Sequence, residues 1–215
     1  MAGEDRKSGF VYRDLREWME KADAAGNLRR VEGASWEADI GNITEMLHHS
    51  FPAPAVLFDK VPGCDPGFRL LTNVLGSNDN IALALGLPAG LSKAELSERA
   101  RELLVGGKVE PMKYVETGPV MENVETGDDV DLYKFPTPLW HEQDGGRYIG
   151  TASYDVTRDP DQPEWVNIGT YRVMLHDKDK VGFYVSPGKH GRVHRDKRFA
   201  PVSYTHLTLP TIYSV

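Results

Sequence analysis

The sequence predicts an α+β protein, with an amino-terminal α/β lobe followed by an antiparallel β domain. Three observations carry this. Over roughly the first hundred residues, runs with apolar residues at helical spacing alternate with short β-like runs. From Lys108 onward that spacing disappears, and valines are scattered among Gly, Thr and acidic residues. Finally, Tyr148–Thr157, Tyr171–Leu175 and Val181–Val185 succeed one another as β-like runs joined by polar turns. That is the pattern of a small barrel or sandwich.

Leu15, Trp18, Met19 and Ala22 recur at helical spacing, and Gly26 stands where a C′ residue ends the helix. Leu28–Val31 reads as a short strand and Ile40–His49 as a second amphipathic helix, ending near Pro52. Ala55–Phe58 and Arg69–Val74 are strand candidates on either side of the turn-rich segment Pro62–Gly67. Asn78–Leu85 and Ser92–Leu104 read as helices, the second opened by a capping box of Ser92 and Glu95. Val115, Val120, Val124 and Val130 suggest short strands and turns. Asp131–His141 contains Pro136 and Pro138 and is expected to be extended rather than helical. A turn at Glu142–Gly146 leads into the strand Tyr148–Thr157, and Asp159–Pro163 turns the chain toward a hairpin closed at His176–Lys180. The expected division is residues 1–110 for the α/β lobe and 111–201 for the β domain. Val202–Val215 stands apart, because Val202–Thr211 matches one reading frame of a transposase adapter used in library sequencing. This tail is expected not to be natural protein.

With 215 residues, 40% hydrophobic and 27% charged, the chain has an ordinary globular composition. Its net charge of −7 argues against a general nucleic-acid or anionic-membrane binder. Lys178, Lys180, Lys189, Arg192, Arg195, Lys197 and Arg198 nevertheless form a basic segment. It suits a small anionic ligand, or is simply a solvated face. Cys64 is the only cysteine, which excludes an internal disulfide and points to a reducing cytoplasm. The opening residues lack a signal-peptide apolar region, and Ile81–Leu91 is too short and too broken to span a bilayer.

The candidate site lies at the outer ends of the hairpin. Asn167 and Arg172 precede or open its first strand, and Lys189 and His190 follow its second in a Pro-Gly-Lys-His-Gly loop. An amide oxygen, an imidazole and two cations brought together would suit a metal–phosphate site. Each residue also has an ordinary reading: Asn167 satisfying a turn, His190 an exposed loop side chain, Arg172 a surface residue. Thr151 and Tyr148 lie within reach on the preceding strand. Gly145-Gly146 lacks the following helix of a phosphate loop, and no G-x-S-x-G, H-E-x-x-H or C-x-x-C motif occurs. The residues alone therefore give an anion-plus-divalent-cation pocket on a β scaffold, with the substrate open.

Phe135-Pro-Thr-Pro, Trp140-His-Glu, Asp144 to Thr151, Asn167-Ile-Gly-Thr-Tyr-Arg172, His176-Asp-Lys178 and Gly188-Lys-His190, in this order, resemble the UbiD-type decarboxylases. Tyr12-Arg-Asp-Leu-Arg-Glu-Trp and Gly26 to Val31 are similar to that family's opening. The resemblance implies a reversible, non-oxidative decarboxylase acting on an aromatic or α,β-unsaturated carboxylic acid. It implies prenylated FMN as cofactor, with a divalent metal, typically Mn2+, and K+ near the phosphate. Asn167 and His190 resemble two metal ligands. Asn167, Ile168, Gly169, Thr170, Tyr171, Arg172, Lys189 and His190 would contact the cofactor, with Thr151 nearby, and Arg172 resembles the catalytic arginine that holds the substrate carboxylate. The implied fold over 111–201 is a flavin-binding split β-barrel, incomplete here, and the family's carboxy-terminal domain, which forms the homo-oligomer interface, is missing. The implied mechanism adds the substrate carbon to the flavin, which accepts electrons as carbon dioxide leaves. A carboxylic acid then returns a proton. A third ligand, a glutamate, and the acid–base carboxylates would lie beyond residue 215, so the chain alone is expected to be inactive. Two rival readings are a non-catalytic flavin- or phosphate-binding subunit of a carboxylase complex and a split-barrel flavin reductase that needs no metal.

Overall fold

The computed structural model describes residues 11–106, 115–199 and 212–213. The chain divides into two compact units, Met1–Tyr114 and Val115–Val215.

The first unit runs α1 (Leu15–Ala24), β1 (Leu28–Glu32), α2 (Asp39–His48), β2 (Ala55–Asp59), β3 (Leu70–Thr72), α3 (Asn78–Leu85) and α4 (Lys93–Gly106). Helix α1 starts where Asp14 accepts from the Glu17 backbone N–H at 3.0 Å while Glu17 accepts from the Arg13 N–H at 2.8 Å. It ends as the sequence predicts: Gly26 adopts φ 75°, and the Asn27 N–H donates back to the Ala22 carbonyl at 2.8 Å. The predicted Ser92–Glu95 capping box also forms, with reciprocal bonds of 2.9 and 3.3 Å.

Strand β2 is the centre of this unit. It pairs in parallel with β1, Leu28 opposite Ala55, and antiparallel with β3, Val56 opposite Thr72. Its apolar run carries no polar alternation because both faces are covered. Ala55 and Leu57 pack with Trp18, Ala22 and Leu28 under α1. Val56 and Phe58 pack with Ala34, Ile40 and Val61 under α2. The result is an α/β/α sandwich in which each large buried side chain contributes about 1.5–3 kcal/mol.

The second unit holds β4 (Val124–Glu125), β5 (Tyr148–Arg158), β6 (Val166–Asp177), β7 (Lys180–Tyr184), α5 (His190–Phe199) and β8 (Ile212–Tyr213). Strands β5, β6 and β7 form an antiparallel meander, and β4 pairs with β8 over two residues. The described strands make open sheets. Single 3-10 turns at Pro119–Met121 and Gly127–Asp129 occupy part of the stretch where short strands and turns were expected. A third, Leu132–Lys134, corrects the expectation that Asp131–His141 is extended throughout: it precedes Pro136, and the Asp131 side chain caps it by accepting from the Tyr133 N–H. The hairpin is larger than its sequence suggests: β6 spans Val166–Asp177, so Asn167 lies inside the strand rather than before it. The loop after β7 is shorter, because His190 already opens α5.

Alternation along β6 sends Asn167, Gly169, Tyr171 and Val173 toward the side where α5 packs, leaving Ile168, Thr170 and Arg172 exposed. That outer face also shows Tyr154, 81% exposed, and Tyr184, 69% exposed. No helix among the described residues is long and apolar enough to cross a membrane. Residues 107–114, 200–211 and 214–215 lie outside the described residues, and with them most of the expected adapter-derived tail.

Candidate cofactor and metal site

A cleft opens where β7 runs out. Its last residue, Tyr184, is paired with Arg172, so from Val166 to Tyr171 strand β6 has β5 as its only strand neighbour among the described residues. The chain leaves β7 through Val185–Gly188, with Gly188 at φ 82°, and α5 begins two residues later beside that free edge. The cleft has a volume of about 720 Å³, within the range of small-molecule and cofactor sites. Asn167, Ile168, Gly169, Thr170, Tyr171, Arg172, Lys189 and His190 all line it, joined by Tyr154, Tyr184, Ser186 and Gly188. Thr151 does not line it; it sits exposed in β5, between the register shifts at Gly150 and Ser153. The side chains of Asn167 and Arg172 belong to opposite faces of β6, so they reach the cleft from its two sides.

Asn167, Gly169 and Tyr171 work as one unit. The Tyr171 ring lies back along the strand over Gly169, where an added Cβ would stand 2.5 Å from ring atom Cε2. This posture lets the Tyr171 hydroxyl accept from Asn167 Nδ2 at 3.3 Å. Thr157 Oγ1, on the cross-strand partner of Asn167, accepts from the same nitrogen at 3.2 Å. Gly191 of α5 completes the fit, because a Cβ there would stand 2.5 Å from the Tyr171 hydroxyl. Two positions without side chains therefore let helix, ring and strand close together.

Behind this unit lies a network that the sequence reading missed. His190, His194 and Lys197 follow one another on α5 at helical spacing and converge on Trp165. The Trp165 ring meets His190 edge-on at 5.1 Å and His194 at 4.7 Å, and Lys197 Nζ lies 5.7 Å from its centroid. Lys197 donates to Asp159 at 2.7 Å, and Asp159 is 1% exposed. Burial alone would raise the Asp159 carboxyl. The Lys197 hydrogen bond and two backbone N–H donors outweigh it, and the group is held below its ordinary value. The same bond raises Lys197. Asp155, half-buried on the α5 side of β5, is pushed up by burial against its Ser153 hydrogen bond. The detectable signal was H-x-x-x-H-x-x-K from His190 to Lys197.

Pairing separates the cations of the basic segment. Lys180 pairs with Asp177, Arg192 and Arg195 with Asp196, and Lys197 with Asp159. Arg172 and Lys189, which line the cleft, have no carboxylate partner among the described residues. With both Asn167 amide protons engaged, its Oδ1 is left for the cleft, where His190 adds a ring nitrogen. That donor set fits a hard or borderline divalent cation beside a phosphate. Among the described residues no group of three or more His, Cys, Asp or Glu side chains is placed to hold a metal ion. Asn167 and His190 would thus supply part of a coordination sphere.

Two family models match the chain. The 3-octaprenyl-4-hydroxybenzoate carboxy-lyase N-terminal domain covers residues 19–100, and the Rift-related domain of the same carboxy-lyase covers residues 113–202. The chain is 39% identical over 185 residues to a phenolic acid decarboxylase of Sedimentibacter hydroxybenzoicus, covering 80% of this chain and 36% of that protein. It is 32% identical over 192 residues to the pyrrole-2-carboxylic acid decarboxylase of Pseudomonas aeruginosa, covering 86% and 38%. The vanillic acid decarboxylase of S. hydroxybenzoicus in its closed form aligns with a TM-score of 0.79 at 34% identity, covering 89% and 41%. HmfF of Pelotomaculum thermopropionicum, a UbiD-class enzyme solved with FMN, shares the fold with a TM-score of 0.70 at 24% identity, covering 87% and 40%. This chain therefore spans well under half the length of these relatives. The two family models occur in order and together cover most of its residues, and the chain belongs to the UbiD family of carboxy-lyases.

Proposed function

We propose that this chain carries the phosphate-and-metal half of a prenylated-FMN site in a reversible, non-oxidative decarboxylase of aromatic or α,β-unsaturated carboxylic acids. The observation that supports this most is the cleft itself. It collects an amide oxygen, an imidazole and two cations without carboxylate partners, in a family whose relatives are named decarboxylases. Asn167 and His190 would hold Mn2+ or a similar divalent ion. Lys189 and the first-turn amides of α5 would meet the phosphate, which a helix amino terminus favours, with K+ nearby. Bound prenylated FMN would supply the electron sink for loss of carbon dioxide.

Arg172 has the clearest role of its own. Its guanidinium stands on the outer face of β6, opposite Tyr184, and is free to take a substrate carboxylate in two parallel hydrogen bonds. Holding the carboxylate fixes the carbon it leaves and orients the scissile bond. The third metal ligand and the proton-donating carboxylate would come from the part of the relatives that this chain does not span, and without them the isolated chain would be inactive. The barrel would close with the same later residues. The complete protein would be a cytoplasmic homo-oligomer.

The test pairs the complete gene product with the 215-residue chain, each supplied with prenylated FMN and Mn2+ and a panel of phenolic, heteroaromatic and acrylic acids. The complete protein should release carbon dioxide from at least one acid, and the short chain from none. Silence of the complete protein across the panel would refute the decarboxylase reading. Turnover by the short chain would refute the half-site.

A further inference from the structure

We propose that His194 is a positioning residue: acting through Thr157, it holds the Asn167 amide by its nitrogen and turns its oxygen into the cleft. The inference deepens the reading of Asn167 as a metal ligand and rests on it for its purpose.

Donation runs in one direction along one chain of groups. Asp159 fixes that direction at its buried end. Its Oδ1 accepts from the backbone N–H groups of Asp161 at 2.8 Å and Gln162 at 3.0 Å, which closes the turn between β5 and β6. Its Oδ2 accepts from Lys197 and stands 3.9 Å from His194 Nε2. That separation is too long for a hydrogen bond. His194 is 3% exposed, and its Nε2 has no hydrogen-bond partner. A bare nitrogen lone pair facing a carboxylate oxygen in a buried site is repelled, whereas an N–H is attracted. A neutral His194 therefore carries its proton on Nε2.

The rest follows. Nδ1 is then an acceptor, and the Thr157 hydroxyl donates to it at 3.0 Å. With its single proton committed, Thr157 Oγ1 can only accept toward Asn167, and it takes one Nδ2 proton. The Tyr171 hydroxyl takes the other. Both protons of the amide are spent inward, and Oδ1 remains for the cleft. The opposite tautomer reverses each step. Nδ1–H would donate to Thr157, the Thr157 proton would turn toward Asn167, and the amide would answer with its oxygen, away from any metal. Trp165, edge-on to both His190 and His194, keeps the rings from rotating out of this arrangement. Partners one shell behind a ligand typically set metal affinity by about 10–100-fold.

The experiment reads tautomer, amide orientation and metal affinity separately on the 215-residue chain. Long-range 1H–15N spectra of the metal-free chain should show His194 protonated on Nε2 alone. Cross-peaks should place the Asn167 side-chain amide protons against Thr157 and Tyr171. Thr157→Val, nearly isosteric, should speed exchange of those protons and weaken binding of manganese(II) alone, read by electron paramagnetic resonance, about tenfold or more. Thr157→Ser should restore both. Asp159→Asn presents an N–H to Nε2 and should move the His194 proton to Nδ1. A wild-type Nδ1–H tautomer, or Asn167 amide protons indifferent to Thr157→Val, overturns the proposal. Failure of the wild-type chain to bind manganese(II), with the expected tautomer and amide contacts in place, overturns the metal reading and leaves the orientation standing.

Discussion

Replacing Gly169 by Ala tests the unit on which the cleft depends. The new Cβ would stand 2.5–2.6 Å from Cε2, Cζ and the hydroxyl oxygen of Tyr171, whereas ordinary contact begins near 3.4 Å. The ring must therefore retreat by about 0.8 Å, from 2.6 to 3.4 Å, at its hydroxyl end. It has little room: Gly191 touches the same hydroxyl, and Phe183 packs against the ring at 5.1 Å. Overpacking of this kind costs about 1–3 kcal/mol. A retreat of that size also breaks the 3.3 Å bond from Asn167, a loss of roughly 0.5–1.5 kcal/mol. Urea denaturation of Gly169→Ala should show about 1.5–4.5 kcal/mol lost in total. The discriminating measurement is a double-mutant cycle with Tyr171→Ala, which removes the ring the methyl would strike. Gly169→Ala should then cost little, leaving a coupling of at least 1 kcal/mol or so between the sites. Additivity within about 0.5 kcal/mol would show that Gly169 is required for something other than the Tyr171 ring.

Further outcomes follow from the same geometry. Arg172→Ala, on an exposed strand position, should change stability by no more than about 0.5 kcal/mol. In the complete protein it should lower turnover about a hundredfold or more, a far larger effect than on flavin affinity read by fluorescence titration. Lys189→Ala should weaken binding of inorganic phosphate or FMN by the chain several-fold, while Lys180→Ala, whose ammonium already pairs with Asp177, should not. Equal effects of the two lysines would refute the assignment of the phosphate end. The depressed Asp159 carboxyl predicts an acid limb. Its contribution to stability is fully present above the ordinary value of 3.8 and is lost as pH falls below it toward the folded-state value. Urea midpoints of the wild type should therefore drop as pH falls below about 4, and Asp159→Asn should flatten part of that slope. Identical acid limbs would count against the buried Lys197–Asp159 pair.

The α/β lobe was largely legible because its signals are local. Gly26 ends α1, Ser92 and Glu95 open α4, and the unbroken apolar run of β2 declares a strand covered on both faces. The site was half legible. Eight of the residues that line the cleft are candidates from sequence, whereas Tyr154, Tyr184 and Ser186 are not, Thr151 lies outside it, and the strand is longer than its apolar run suggests. Asn167, Gly169 and Thr170 break the apolar pattern of a β-run, and a glycine in a strand reads as an interruption. Here the glycine is what allows Tyr171 to lie along the strand and reach Asn167. Helix α5 escaped for a related reason. Its buried positions are Gly191 and His194, with Lys197 half-buried, so hydrophobic periodicity has nothing to detect. The residues that the helix packs against, Thr157, Asp159 and Trp165, lie far back in sequence.

The basic segment shows how such long-range partners decide function. In sequence, its seven cations are equivalent candidates for an anionic ligand. In an acidic protein most of them are already spoken for. Arg192 and Arg195 share Asp196, Lys180 has Asp177, and Lys197 is held by the turn carboxylate Asp159. Once a cation has a carboxylate at hydrogen-bond distance, an incoming phosphate must displace that partner before it gains anything. Lys189 has no such competitor among the described residues, and neither does Arg172 of β6; these are the two that line the cleft. Lys197 serves instead to hold Asp159, which sets the direction of the hydrogen bonds that end at Asn167. The acidic residues of this unit thus do two kinds of work. Asp177 and Asp196 pair with three of the cations outside the cleft, and one buried carboxylate, Asp159, would aim the oxygen proposed to face the metal.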